Sequence, residues 1–515
     1  MTRKKSANKV RKTKHISIDR DLEKNKAHIR KILGDSPDTS WGEVTLHNRK
    51  SEKIHILILS IGGLADEASI HQNILEPLRK QSKVADNIIE GVKEKIYINE
   101  VKYEANLYNA ILKTLRGNTF ILIEGYTTGI IASTEGKETR SIEEPPTEAV
   151  VSGSRESFIE SVHTNISLLR QRIASPQLRF QLYTFGEYSQ TEVVLAYVEG
   201  IVDPQVLERV NKRIRKIEVD DIASSGQIEQ YLEDQTYTIF PVTGNTERPD
   251  VAAAMLMEGR VVLIVDGTPI TLFYPSLFLE KMQDVEDYSS RPFSSSVVRL
   301  LRLFAFVIST MLPALYICIV NFHKEAIPSG FLLALEKSRE GVPLPLVQET
   351  LLLIVLFEIV REAGVRMPRA IGQAVSIVGA LILGEVSVAA GLISAQTIIV
   401  VSTAAITAFI VTPVAEVVSL LRIIYIIPSA TFGFYGLMVS VLFTIMHMAN
   451  LKSMGVYYMA PIMPLYFRDW KDAFIRLPYR LLKYRPKSIP NVRPIRYKRV
   501  PPSPNKGNEK HDKNN

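Results

Sequence analysis

Three stretches of this 515-residue chain contain no Asp, Glu, Lys or Arg: the twenty residues Leu303–Phe322, the thirty Val386–Ala415, and the twenty-nine Ile423–Leu451. No other feature constrains the fold as much. A hydrocarbon core takes about 20 apolar residues per spanning helix. A soluble core can hide one such helix, but three in succession imply a membrane. Residues 1–300, in contrast, carry a charge every few positions and read as a soluble region.

Charge sharpens the division. Residues 1–31 hold twelve Lys/Arg against three acids, and residues 468–515 hold fourteen against four. The body between them is therefore acidic, although the whole chain is +8. Basic ends on an acidic body suit nucleic acid or anionic lipid. The second basic run begins just after the last apolar segment, which favours lipid headgroups over nucleic acid. The basic N-terminus lacks a following apolar stretch and is not a secretory signal. One cysteine, Cys318, allows neither a disulfide nor a zinc site.

The soluble half alternates strand and helix. HILILSIGG (55–63) and TFILIEG (119–125) read as buried strands around helical material at 66–80, an α/β subdomain over 51–132. Residues 1–50 read as a basic disordered arm, and the polar, Pro-Pro-containing 133–157 as a linker. A second α/β subdomain, 158–298, has helices at 158–173, 204–216 and 251–258 and strands at 191–202 and 261–267. Its motifs offer little chemistry. Gly62-Gly63 lacks the residues of a phosphate loop, and His163 has no second ligand at metal spacing. TERPD (246–250) reads as a helix entry, with Glu247, Arg248 and Asp250 as a candidate subunit contact. No nucleophile–base pair stands out, and neither catalytic, cofactor nor metal residues are expected.

In the membrane half, 299–451, arginines at 291, 299 and 302 precede the first run and the basic segment 452–515 follows the last. The positive-inside rule then places both termini in the cytoplasm and requires an even number of crossings, four to six in all. The expected spans are 300–322, kinked at Pro313, 346–362, a hairpin cut from 370–415 that turns near Gly391–Gln396, and 414–451, broken at Pro428 or continuing as one span. Glu358, Arg361 and Glu362 stand at i, i+3 and i+4, hence on one helical face. They mark either a helix end or a charged interior. Glu385 and Glu416 are flanked by apolar residues on both sides, and Arg422 is the one basic side chain after Arg369 and before Lys452. These six are the candidate pore or gating residues, because membrane carboxylates suit a cation path. The small residues beside them suit helix packing equally well.

At this point GSRESFIESVHTNISLLRQRI (153–173), TERPD, GRVVLIVDGTP (259–269), LLRLFAF (300–306), LPALY (312–316), REAGVRMPRAIG (361–372) and SIVGALILGE (376–385) come together. The chain resembles the A subunit of the GerA family of spore germination receptors over nearly all of 150–465. It departs from the usual pattern at Ser152, Ser154 and Tyr457. The resemblance implies a multi-pass protein of the spore inner membrane that acts with a transporter-like, nutrient-binding B subunit and a lipoprotein C subunit. It also implies a homo-oligomer forming a ligand-gated cation channel. A secondary transporter is the competing expectation, but no internal repeat is visible in 300–451. A merely anchored scaffold would leave Glu358, Glu385 and Glu416 without a task.

Overall fold

The computed structural model describes residues 15–47, 53–80, 87–136, 145, 148, 150, 153–366 and 382–496. The chain divides into two compact units. The first takes residues up to Glu233, then Thr243–Pro275 and 484–496; the second takes Asp234–Val242 and Ser276–Lys483.

The first unit holds two five-stranded sheets. One is built from β1 (Thr39–His47), β2 (Lys53–Ile61), β3 (Val101–Glu104), β4 (Thr119–Ile123) and β5 (Gly129–Ala132), in the order β1-β2-β4-β5-β3. Both faces of this sheet are covered. Leu57, Leu59, Phe120 and Leu122 pack with Ile29 and Leu33 of helix α1 (Leu22–Leu33) and Ile111 of α2 (Leu107–Thr114). Ile56, Ile58 and Ile121 face Ile74 and Leu78 of the helical stretch 67–80. Burial on both sides is why β2 reads as a continuous apolar run instead of an alternation.

The second sheet repeats the plan with β6 (Leu178–Phe185), β7 (Thr191–Val198), β8 (Gly244–Thr246), β9 (Val261–Val265) and β10 (Thr271–Tyr274), in the order β6-β7-β9-β10-β8. Its helices are α3 (Val162–Arg172), α4 (Pro204–Ile214), α5 (Ser225–Leu232) and α6 (Pro249–Glu258). Every ladder in both sheets is antiparallel; short connections join β1 to β2, β4 to β5, β6 to β7 and β9 to β10, and helical segments join the rest. Leu169, Ala252 and Leu256 close one face over Val194, Val262 and Ile264.

One buried ion pair joins the halves. Arg170 of α3 is fully buried; its Nε donates to Asp38 Oδ2 at 2.7 Å and its Nη1 to the Leu178 carbonyl at 2.9 Å. Its Nη2 donates to Ser36 Oγ at 3.2 Å, and the guanidinium lies 4.8 Å from the Phe180 ring centroid.

Three sequence expectations change here. The arm assigned to 1–50 is folded from residue 15 onward, because Asp21 caps α1 and Ile29 and Leu33 give that helix a core face. The second subdomain, placed at 158–298, ends sooner. Phe240, Val242, Phe278, Leu279 and Met282 join the apolar cluster of the helical unit. The C-terminal segment returns to the first unit. Arg485 donates to the carbonyls of Met257 at 2.6 Å and Ile495 at 3.1 Å, and the Val492 N–H donates to the Ile201 carbonyl at 2.9 Å. Most of the expected linker, both tails and residues 367–381, which include Arg369 and most of the expected third span, lie outside the described residues.

The helical unit contains α7 (Pro292–Phe322), the loop helix α8 (Ser329–Arg339), α9 (Leu346–Arg366), α10 (Ala395–Ala408) and α11 (Ala415–Asn450). Among the described residues, α7 and the continuous run Ala395–Asn450 are long and apolar enough to cross a membrane. α7 packs along α10 and α11. The break in α11 falls at Gly433 (φ 60, ψ −138), not at Pro428. A proline can continue a helix after losing one hydrogen bond, whereas a positive φ ends it, and glycine adopts that φ without strain.

Candidate functional site

The charged face of α9 forms two pairs. Arg361 pairs with Glu358 on its own helix and donates through Nη1 to Ser419 Oγ of α11 at 3.0 Å. Ser419 Oγ donates in turn to Glu358 Oε2 at 3.2 Å. The triad ties α9 to α11 with each charge partnered. One turn on, Arg366 pairs with Glu362 at 2.7 Å on an exposed surface. Glu358, Glu362, Arg366 and Ser419 share a groove of about 580 Å³ with Ile354, Val355, Ile359 and Ile423. Glu385 and Glu416 are exposed and do not line this groove.

Arg422 has a different environment. It is buried on α11, its Nε donating to the Ser309 carbonyl at 3.0 Å and its Nη2 to the Ala404 carbonyl at 3.2 Å. Ser309 lies four residues before Pro313, whose missing N–H leaves that carbonyl without its helical donor. Arg422 supplies the donor instead, and so joins α7, α10 and α11 at one point.

Two further clusters escaped the sequence reading. Arg299 and Arg302, taken there as topology markers, both hold the buried Asp287, at 2.8 and 2.9 Å. Glu349, in the first turn of α9, is fully buried; its Oε1 accepts from the N–H of Ser394 at 2.6 Å and from Ser394 Oγ at 2.7 Å. A carboxylate early in a helix looks like an ordinary dipole partner, so only the fold could single it out. Among the described residues no group of three or more His, Cys, Asp or Glu is placed to hold a metal.

The TERPD contact needs correction. Arg248 is fully buried, with Nη2 donating to Asp250 Oδ2 at 2.8 Å and to the Ser154 carbonyl at 2.8 Å. Glu247 is buried too. Glu247 and Arg248 lie inside the entry to α6, with Pro249 at its start, whereas Asp250 stays partly exposed beside them.

Nearby, burial pushes the Glu148 carboxyl up, and burial beside Glu229 pushes Glu233 up to about 7. Both groups bind protons more readily folded than unfolded, so stability should decline as pH rises from about 4.5 through 7. Thermal unfolding of the full chain across that window checks this. Glu233→Gln should flatten the slope, and an unchanged slope would remove Glu233 as its source.

A model of the family described as Bacillus/Clostridium GerA spore germination protein matches residues 27–488. The chain belongs to the GerA family. It is 40% identical over 482 residues to spore germination protein KA of Bacillus subtilis (strain 168), covering 93% of this chain and 88% of that protein. It is 36% identical over 432 residues to the membrane protein YfkQ of the same organism, covering 83% and 84%. Its similarity to the crystal structure of the N-terminal domain of the A subunit of the Bacillus megaterium spore germinant receptor GerK3 is 30% in identity. That match has a TM-score of 0.41 and covers 51% of this chain and 98% of that one. This GerA-family protein is thus of the germinant-receptor A-subunit type, whose members take part in spore germination.

Proposed function

We propose that the protein is a subunit of a nutrient germinant receptor in the spore inner membrane, and that copies of its helical unit assemble around a cation path. The observation that carries this is the outer surface of α7, α10 and α11. Phe304 is 65% exposed, Ile406 64%, Phe432 69% and Phe443 73%. Surfaces of this kind require hydrocarbon or a neighbouring subunit to cover them.

Carboxylates on the same unit supply the path. A charged side chain at the bilayer centre costs about 2.5–3.5 kcal/mol on insertion scales, and facing water relieves that cost. Glu385 and Glu416, exposed in the single chain, would line the axis, with Glu358 and Glu362 at the groove beside it. Rings of carboxylates favour cations. A transporter-like B subunit would bind the nutrient and a lipoprotein C subunit would complete the receptor. Both termini would be cytoplasmic, flanking four to six crossings, with the basic tail on anionic headgroups.

The test is potassium flux in liposomes containing the protein with its partner subunits. Nutrient should open a flux that Glu385→Gln lowers several-fold without loss of insertion and that Glu385→Lys abolishes. Parental flux in Glu385→Gln, in Glu416→Gln and in the double variant would remove both residues from the pore.

A further inference from the structure

The loop that carries α8 forms, with the end of α7 and the start of α9, an open cavity of about 840 Å³. Leu332, Leu335 and Val347 give it apolar walls, and Lys337 and Arg339 bring positive charge to its edge. Lys324 and Glu336 also line it, but they pair with each other at 3.2 Å. Arg339 is therefore the group to consider. Its Nη1 lies 3.5 Å from Oε2 of the buried Glu349. At that distance the charges attract, yet neither atom makes a hydrogen bond.

The two oxygens of Glu349 are unequally held. Oε1 has two donors from Ser394, whereas Oε2 has only the distant guanidinium. A buried ion pair without hydrogen bonds recovers little of the cost of desolvating its members. A ligand carboxylate, in contrast, can give a guanidinium two parallel acceptors.

We propose that this cavity binds a small monocarboxylate with an apolar body, which Arg339 grips in competition with Glu349. A cation is disfavoured, because the lining holds three cationic side chains, Lys324, Lys337 and Arg339, against two carboxylates, Glu336 and Glu340. The charged rim residues Lys324, Glu336 and Lys337 are exposed, so the ligand is a soluble one. Binding draws Arg339 away and leaves Glu349 attached to Ser394 alone, at the start of α10. The loop before α9 and the entry to α10 thereby respond to one ligand. This inference stands independently of the cation path.

The experiment is calorimetric titration of the full-length protein in phosphatidylcholine nanodiscs with butyrate, at fixed pH and ionic strength. Butyramide, of like shape and uncharged, is the control. Butyrate should bind and butyramide should not. Arg339→Gln should abolish binding and Arg339→Lys should weaken it, since lysine keeps the charge without the fork. Glu349→Gln should tighten binding several-fold by removing the competitor. Glu349→Asp, which draws the carboxylate back from Arg339 while leaving the position ionised, should act the same way if Glu349→Gln does not fold. Equal binding of butyramide, binding that survives Arg339→Gln, no binding to the parent, or weaker binding in folded Glu349 variants would each overturn the proposal.

Discussion

Replacing Arg170 with alanine should cost about 3–5 kcal/mol, because it strands a buried carboxylate. Asp38 loses its Nε donor at 2.7 Å, and the Leu178 carbonyl loses its Nη1 donor. The two sheets of the first unit share this junction, so their unfolding should separate. With Trp470 replaced by Phe, thermal melts followed by fluorescence of the remaining Trp41 and by circular dichroism should coincide in the parent and diverge in Arg170→Ala. Removing both charges, as Arg170→Met with Asp38→Leu, should be much milder than Arg170→Ala alone. If the double replacement is as damaging as Arg170→Ala, the cost comes from lost packing and not from the stranded charge.

The second large effect concerns Arg422 and Pro313. Arg422→Met should destabilise the helical unit by about 1–3 kcal/mol, the cost of leaving a buried acceptor unpaired. Pro313→Ala restores an N–H that can reach the Ser309 carbonyl through the helix itself. The double variant should therefore lose less stability than the two single losses added together. Protease resistance in detergent across a temperature series gives all four corners of the cycle. Strict additivity would show that the carbonyl freed by Pro313 is not what Arg422 serves.

That pair shows where reading a sequence stops. Arg422 and Ser309 are 113 residues apart. Nothing local to either reveals that a proline-freed carbonyl meets a guanidinium on another helix, so the sequence offers Arg422 only as a pore or gating candidate. Strands β2, β4, β7 and β9 were legible because double-sided burial makes a run apolar throughout. β1, TSWGEVTLH, mixes polar residues with few deeply buried ones and resembles a loop until its pairing with β2 is known. Glu358 and Arg361 were legible as a pair from helical spacing alone, but Ser419 was not, since it comes from another helix. Pro428 drew attention that belonged to Gly433, because proline announces a break in sequence while a glycine's φ is visible only in the fold.

The return of residues 484–496 to the first unit has a consequence for how the protein is made. The Met257 and Ile201 carbonyls wait for donors at 485 and 492, which the ribosome supplies only after every residue of the helical unit has been synthesised. During that interval the nascent α/β unit lacks its final clamp. Synthesis therefore orders the two events: the helices emerge first, and the last stretch of chain then closes the unit that began folding earliest. A fragment ending before α7 would remain permanently at that earlier stage, with Met257 and Ile201 uncovered, unless residues 484–496 were supplied as a separate peptide.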